Sequence, residues 1–130
     1  MASPLDEGKT VDGKKEGKWT TYYANGNKRS QGTYKAGLKH GKWTYYHKNG
    51  QKSSEGRLRD NKHEGKWRGW YDSGELEGEL TYRKHDGSSY DGKKEGPHTF
   101  YNKDGTVWRV ITYKNGRRAK DDEFPNPKQD

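Results

Sequence analysis

Histidine is the residue type here best suited to metal or acid–base chemistry, and the chain has five: His40, His47, His63, His85 and His98. A zinc or general-base site needs such side chains at convergent spacing, as in His-Glu-x-x-His. No such pair occurs. His40 and His63 stand beside Gly41 and Gly65, where Lys15-Glu16 and Lys94-Glu95 stand before Gly17 and Gly96. They read as interchangeable turn residues. Glu16, Glu64 and Glu95 recur just before a glycine. Catalytic carboxylates are few and singular, so this recurrence assigns them to turns. Residues 8–14 match Gly-x-x-x-x-Gly-Lys, but Lys15 replaces the Ser or Thr that would hold Mg²⁺ and no helix pattern follows. With no Cys there is no thiolate nucleophile, thiolate metal site or disulfide. The reading is of a chain with no catalytic residue, no cofactor and no metal.

Charge carries more functional content. Lys and Arg number 27 against 19 Asp and Glu, a formal net charge of +8. The segments between predicted hairpins hold Lys14, Lys15, Lys18, Lys39, Lys42, Lys62, Lys66, Lys93 and Lys94. If the hairpins stack, these lysines are expected along one long edge of the sheet as a positive stripe. Such a stripe attracts an acidic partner: a protein, an anionic lipid surface or a polyanion. Nucleic acid ranks last, because the aromatic residues that would stack on bases are needed to stack the repeats.

The elements that would hold these residues follow from composition and spacing. Only 24% of the 130 residues are hydrophobic, and Val, Ile and Leu number three, one and five. An aliphatic two-layer core is excluded, as is a membrane-spanning apolar run of roughly 20 residues. Yet there are five Trp, ten Tyr and 18 Gly, and they recur on a period. Gly17-Lys18-Trp19 returns as Gly41-Lys42-Trp43 and Gly65-Lys66-Trp67, 24 residues apart each time, and in degenerate form as Gly96-Pro97-His98. Tyr22, Tyr46, Trp70 and Tyr101 follow these glycines by five residues, and Gly26, Gly50, Gly74 and Gly105 by nine. Internal repetition of this kind defines a repeat protein.

Each unit reads as a β-hairpin. A Thr- and aromatic-rich strand leads into Asn25-Gly26, Asn49-Gly50, Ser73-Gly74 or Asp104-Gly105, read as type I′ turns. The returning strands carry Gly32-x-Tyr34, Gly56-x-Leu58, Gly78-x-Leu80 and Ile111-x-Tyr113. A second turn follows at Ala36-Gly37, Asp60-Asn61, Asp91-Gly92 and Asn115-Gly116. The expected fold is all-β: an elongated, single twisted antiparallel sheet of about four consecutive hairpins, with units near 12–37, 38–61, 62–92 and 93–116. A leading strand near Gly8–Val11 makes about nine strands. Alternation puts Trp19, Trp43 and Trp67 on one face and Tyr22, Tyr46, Trp70 and Tyr101 on the other. About seven extra residues between Leu76 and Tyr90, including His85-Asp86-Gly87, are expected to interrupt the sheet with a longer hairpin or a bulge. Residues 1–7 are read as flexible and the charged tail 118–130 as mobile. The first seven residues show no signal-peptide core, so a cytoplasmic location is expected.

The pattern Gly-Lys-Trp-x-x-Tyr-Tyr-x-x-x-Gly followed by Gly-x-Tyr-x-x-Gly resembles the MORN repeat. More closely it resembles the bacterial variant labelled the YwqK-type antitoxin family, over residues 8–117. The resemblance implies an elongated sheet of hairpins without catalytic machinery, used for interaction or scaffolding. The expected function is a non-catalytic protein-interaction module of antitoxin, immunity or scaffold type. It would bind an acidic protein or associate with itself. The alternative is a peripheral binder of anionic lipid or polyanion through the basic stripe.

Overall fold

A computed structural model describes residues 6–89 and 91–124. Among them there is no helix. Ten strands form a single open sheet in sequence order: β1 (Glu7–Val11), β2 (Lys14–Tyr22), β3 (Lys28–Lys35), β4 (Leu38–Tyr46), β5 (Lys52–Arg59), β6 (Lys62–Trp70), β7 (Leu76–Tyr82), β8 (Gly96–Tyr101), β9 (Val107–Lys114) and β10 (Arg117–Glu123). Every neighbouring pair is antiparallel. At about 4.8 Å per strand spacing, the sheet is about 43 Å long across its strands. With a single layer there is no second sheet to bury an aliphatic face, which suits a sequence with so few aliphatic residues.

The core is built along the sheet surface. Trp43, Leu58 and Trp67 are its buried centre, with Tyr34, Tyr45 and Tyr82 packed against them. The device that buries the indoles is a bulge. Between the pairs Gln31–Thr44 and Thr33–His40, the single residue Gly32 of β3 faces Gly41, Lys42 and Trp43 of β4. Gly56 faces Gly65, Lys66 and Trp67 in the same way, and Gly8 of β1 faces Gly17, Lys18 and Trp19. Gly17, Gly41 and Gly65 take φ of 73°, 78° and 71°, a left-handed conformation that kinks the longer strand. The kink lays each indole flat on the opposing glycine. A Cβ on Gly8, Gly32 or Gly56 would lie 2.1 Å from the Trp19, Trp43 or Trp67 ring. Each indole N–H donates to the carbonyl one residue past that glycine: Trp19 to Lys9 at 2.9 Å, Trp43 to Thr33 at 3.1 Å and Trp67 to Arg57 at 3.0 Å. The indole N–H of the buried Trp43 and Trp67 is thereby satisfied.

The turns at Asn25-Gly26 and Asn49-Gly50 are not of the type read for them. Type I′ geometry needs two consecutive residues with φ > 0, and it occurs between repeats, at Asp12-Gly13, Ala36-Gly37, Asp60-Asn61 and Asn115-Gly116. In Asn25-Gly26 and Asn49-Gly50 only the glycine has positive φ. The Gly26 N–H donates to the Tyr23 carbonyl, and the Tyr23 N–H to the Asn27 carbonyl. This is a three-residue loop whose glycine closes a bulge. Asn25 serves instead through its side chain. Its Oδ1 accepts from the Asn27 N–H at 2.9 Å, and its Nδ2 donates to the Lys48 carbonyl at 2.9 Å, tying the loop to the next repeat. Asn49 repeats both contacts with Gln51 and Asp72.

The third and fourth units correct the sequence reading. Leu80, not Gly78, stands opposite Trp67, while Gly78 pairs with Gly69. Gly32 and Gly56 lie six residues past their turn glycines, but Gly78 lies only four past Gly74. The extra residues do not interrupt the sheet. They form a loop between β7 and β8 gathered around Asp91, whose carboxylate accepts the Asp86 and Gly87 N–H groups at 2.8 and 3.1 Å. Nor is the start of the charged tail mobile. Residues 117–123 form β10, making ten strands rather than nine. Arg109 holds Asp121 through two hydrogen bonds of 3.0 and 2.7 Å, and Arg118 lies 3.5 Å from the same carboxylate. Charged side chains on an edge strand also discourage unwanted pairing. At the other end β1 begins at Glu7, and the Asp6 carboxylate accepts the Tyr22 N–H at 3.0 Å. The remainder of the expected flexible termini, residues 1–5 and 125–130, lies outside the described residues.

Two substitutions test the bulge. Trp43→Ala should cost about 3–5 kcal/mol. Gly32→Ala, a change of one methyl, should cost about 1–3 kcal/mol or more, because the ring it strikes is boxed in. Urea melts of both variants against the parent measure these losses.

Candidate binding faces

The open sheet has two faces of different chemistry. On the first, rings run in contact across the strands. Trp19 meets Tyr34 edge-on at 6.3 Å, Tyr34 meets Trp43 at 5.0 Å, and Tyr45 lies between Trp43 and Trp67 at 6.1 and 6.3 Å. His63 continues the row, 4.6 Å from both Trp67 and Tyr82. His98 and Phe100 stack at 4.0 Å, and Phe100 meets Trp108 at 5.6 Å. This is the tryptophan face.

Part of the expected basic stripe belongs to this face. Lys15 Nζ sits 4.9 and 5.2 Å from the Trp19 and Tyr34 rings. Lys39 Nζ sits 4.9 and 5.4 Å from Trp43 and Tyr45, and donates to the Tyr45 hydroxyl at 3.1 Å. Lys94 lies 4.9 Å from Tyr113. These three cap rings, and His63 does the same in the third repeat. Lys14, Lys62 and Lys93 stay on the edge, their side chains stacked beneath Gly37, Gly92 and Gly116 of the following turn. The Glu16 and Glu95 carboxylates receive the Ala36 and Asn115 N–H groups at 2.7 and 2.8 Å, the turn role read from their recurrence.

Lys18, Lys42 and Lys66 leave the edge altogether. They pair with Thr33, Arg57 and Thr81 across the hairpins and project from the second face, where Tyr22, Tyr46, Trp70 and Tyr101 also lie. The single stripe of the sequence reading is therefore three separate rows. The signal that could have separated them was alternation: Lys15 and Lys18 are three residues apart on one strand and must point to opposite faces.

The lysine face is a shallow polar trough. Its cations are Lys18, Lys28, Lys42, Lys52, Arg57, Lys66 and Arg68, and its acids are Glu7, Glu55 and Glu79. Glu55 lies below Lys42 and Lys52 at 3.6 and 3.0 Å, and Glu79 below Lys66 and Arg68 at 3.6 and 3.0 Å. The lysines stand in solvent, with side chains 65% and 57% exposed at Lys42 and Lys66, while Glu55 and Glu79 are only 20% and 23% exposed. Burial works to raise both carboxyls. The Thr44 hydrogen bond and Lys52 at Glu55, and the Arg68 and Tyr101 hydrogen bonds at Glu79, outweigh it and hold both below the usual range. The acids thus stay ionised and prop their cations upright without cancelling the positive excess. Among the described residues no group of three His, Cys, Asp or Glu is arranged to hold a metal ion. No described helix is long and apolar enough to cross a membrane.

The histidines of the tryptophan face set a pH dependence. Burial, with Lys94 and Arg109 adding repulsion, pushes the His98 imidazole down to about 4. Burial and then Lys39 lower His63 as well. The unfolded chain takes up these protons near pH 6.5, whereas the folded sheet resists them. Stability should be full above about pH 6.5 and fall as the pH drops through about 4, with His98→Phe flattening part of the slope. Urea melts at several values across that window measure it.

Comparison with known families agrees with this geometry. The family model described as "MORN repeat variant" matches residues 15–36, 39–60, 64–84 and 94–115. Each match spans one Gly-Lys-Trp bulge, or its Gly-Pro-His equivalent, and the hairpin that follows. No curated protein matches the chain. The repeat is of a non-catalytic type. Four matched repeats in one continuous sheet, each seated on its neighbour by the same bulge, place this chain in the MORN-repeat variant family.

Proposed function

We propose that this chain is a non-catalytic protein-interaction module whose lysine face docks an acidic polypeptide. The observation that carries this is the row Lys18, Lys42 and Lys66. In each of the first three repeats one exposed ammonium stands on an open sheet face, at the same position of the Gly-Lys-Trp bulge. Successive members lie two strand spacings apart, about 10 Å. An extended acidic segment laid across the strands could meet each in turn. Carboxylates beneath Lys42 and Lys66 hold those two ammoniums in place before a partner arrives, which lowers the ordering cost of binding. A positive trough of this kind also speeds encounter with an acidic surface. An antitoxin, immunity or scaffold role fits such a module, and self-association through the open edges β1 and β10 is the other protein-level route.

A triple variant tests the reading. Lys18, Lys42 and Lys66 changed to Gln should lose at least tenfold in affinity for a saturable acidic protein partner, recovered from native lysate at low and high salt. The edge triple Lys14, Lys62 and Lys93 to Gln should retain it. If both triples bind alike, the lysine face is not the docking surface. If only phosphatidylserine vesicles or polyanions bind, with a steep loss on adding salt, the chain is a peripheral anionic-surface binder instead.

A further inference from the structure

The tryptophan face has a gap in its third repeat. Two residues after the bulge aromatic, the repeats carry Thr21, Tyr45, Gly69 and Phe100. Tyr45 fills its position with a ring against Trp43 and Trp67, and Phe100 fills its own with a ring stacked on His98. At Gly69 there is no side chain. Its cross-strand partners are Gly78 on β7 and Ser54 on β5, so three small residues in a line form a floor of nearly bare backbone. A hollow of about 420 Å³ opens over this floor, walled by Tyr45, Trp67, Leu80, His98 and Phe100. That volume lies in the range of ligand pockets, roughly 300–1,000 Å³.

Gly69 is not needed by the fold in the way the other strand glycines are. Gly8, Gly32 and Gly56 lie under indole rings, and a Cβ on Gly78 would come 2.9 Å from the Thr99 carbonyl oxygen. A Cβ on Gly69 would meet nothing closer than the Ser53 carbonyl oxygen at 3.5 Å, an ordinary contact, and the residue is not in the left-handed region. Glycine in a strand interior weakens it. A strand former would fit at 69, and what glycine preserves there is the hollow.

We propose that this hollow is a binding site for an aromatic side chain, Trp, Tyr or Phe, presented by the partner polypeptide. The chemistry of the occupant is given by the repeat itself, since this chain's own rings fill the equivalent positions at Tyr45 and Phe100. The walls offer ring faces and edges for offset or edge-on stacking. The floor is central strand whose amides are engaged in the ladder, so recognition is apolar rather than by backbone pairing. Arg68 and Glu77, of opposite sign, are the charged members of the lining and leave no net charge to select an ionic ligand. A buried aromatic anchor in a pocket is what concentrates binding energy in protein interfaces. The inference rests on the reading of the chain as a protein-binding module and adds to it a second contact, on the face opposite the lysines.

The test is an amide NMR titration with N-acetyltryptophanamide. Saturable shifts are expected at Gly69, Gly78 and Leu80, with N-acetylleucinamide at least fivefold weaker. Gly69→Tyr supplies the missing ring from within and should weaken N-acetyltryptophanamide at least tenfold without lowering the melting temperature. If Gly69→Tyr fails to fold, Gly69→Val must produce the same weakening. The Lys18, Lys42 and Lys66 triple variant should bind the probe like the parent. Absence of saturable shifts, or equal binding by parent and filled variants, overturns the site. Indole binding at least tenfold tighter than N-acetyltryptophanamide overturns the assignment to a side chain in favour of a free aromatic molecule. An acidic protein held by the lysine face with unchanged affinity in Gly69→Tyr would sink the hollow as a partner contact while leaving the binding module intact. Probe binding without any protein partner would sink the module.

Discussion

An indole lying on a bare glycine holds this protein together. A single sheet has no second layer to cover it, so apolar surface has to be buried along the sheet itself. The Gly-Lys-Trp bulge does this by fitting three residues opposite one and folding the ring back onto the strand that precedes it. Trp19 and Trp43 each close three contacts at once: face on the glycine, N–H on the neighbouring carbonyl, and an edge-on contact with Tyr34; Trp67 keeps the first two and meets Tyr45 and His63 instead. The fourth repeat follows the same logic with other residues. Where the ring shrinks to His98, the residue beneath is no longer glycine but Leu80, which fills the freed space. Ring and floor change together.

This constraint shapes the rest of the surface. With the rings committed to one face, the residue between glycine and the bulge aromatic is turned to the other, and in the first three repeats that residue is a lysine. Lys15, Lys39 and Lys94, each two residues before the bulge glycine, fall on the ring side and become caps. The two faces therefore differ in kind, one aromatic and capped by cations, the other a polar trough with exposed ammoniums above ionised carboxylates. A chain of this design has two surfaces to offer a partner, and at Gly69 the third repeat leaves the aromatic face without a side chain.

Much of the fold was legible because its signals are local. Glycine, Trp and Tyr offsets predict hairpins, their number and the separation of Trp19 from Tyr22 on opposite faces. What was not legible depends on pairing between strands. A bulge exists only relative to its partner, so Gly32 and Trp43, eleven residues apart, give no local sign of lying on one another. Gly78 resembles Gly56 in its local sequence, yet a shorter count from its turn places Leu80 at the equivalent position. Asn25-Gly26 has the composition of a type I′ turn, but Asn25 is occupied with capping and with the next repeat. The final strand was hidden by its charge, because Arg117–Glu123 carries no apolar alternation and is secured to β9 by the Arg109–Asp121 ion pair. For the lysines, alternation within each strand would have sufficed to divide the stripe.

The central claim is a coupling between ring and floor, and a double-mutant cycle at Gly56 and Trp67 measures it most directly. In the parent, Gly56→Ala places a methyl inside the Trp67 ring and must destabilise the sheet. In a Trp67→His background, which copies the His98 and Leu80 arrangement, the same methyl should cost little or stabilise. The account predicts a coupling free energy of about 1–3 kcal/mol between the two positions. Additive losses, with Gly56→Ala equally costly whether or not the indole is present, would contradict it.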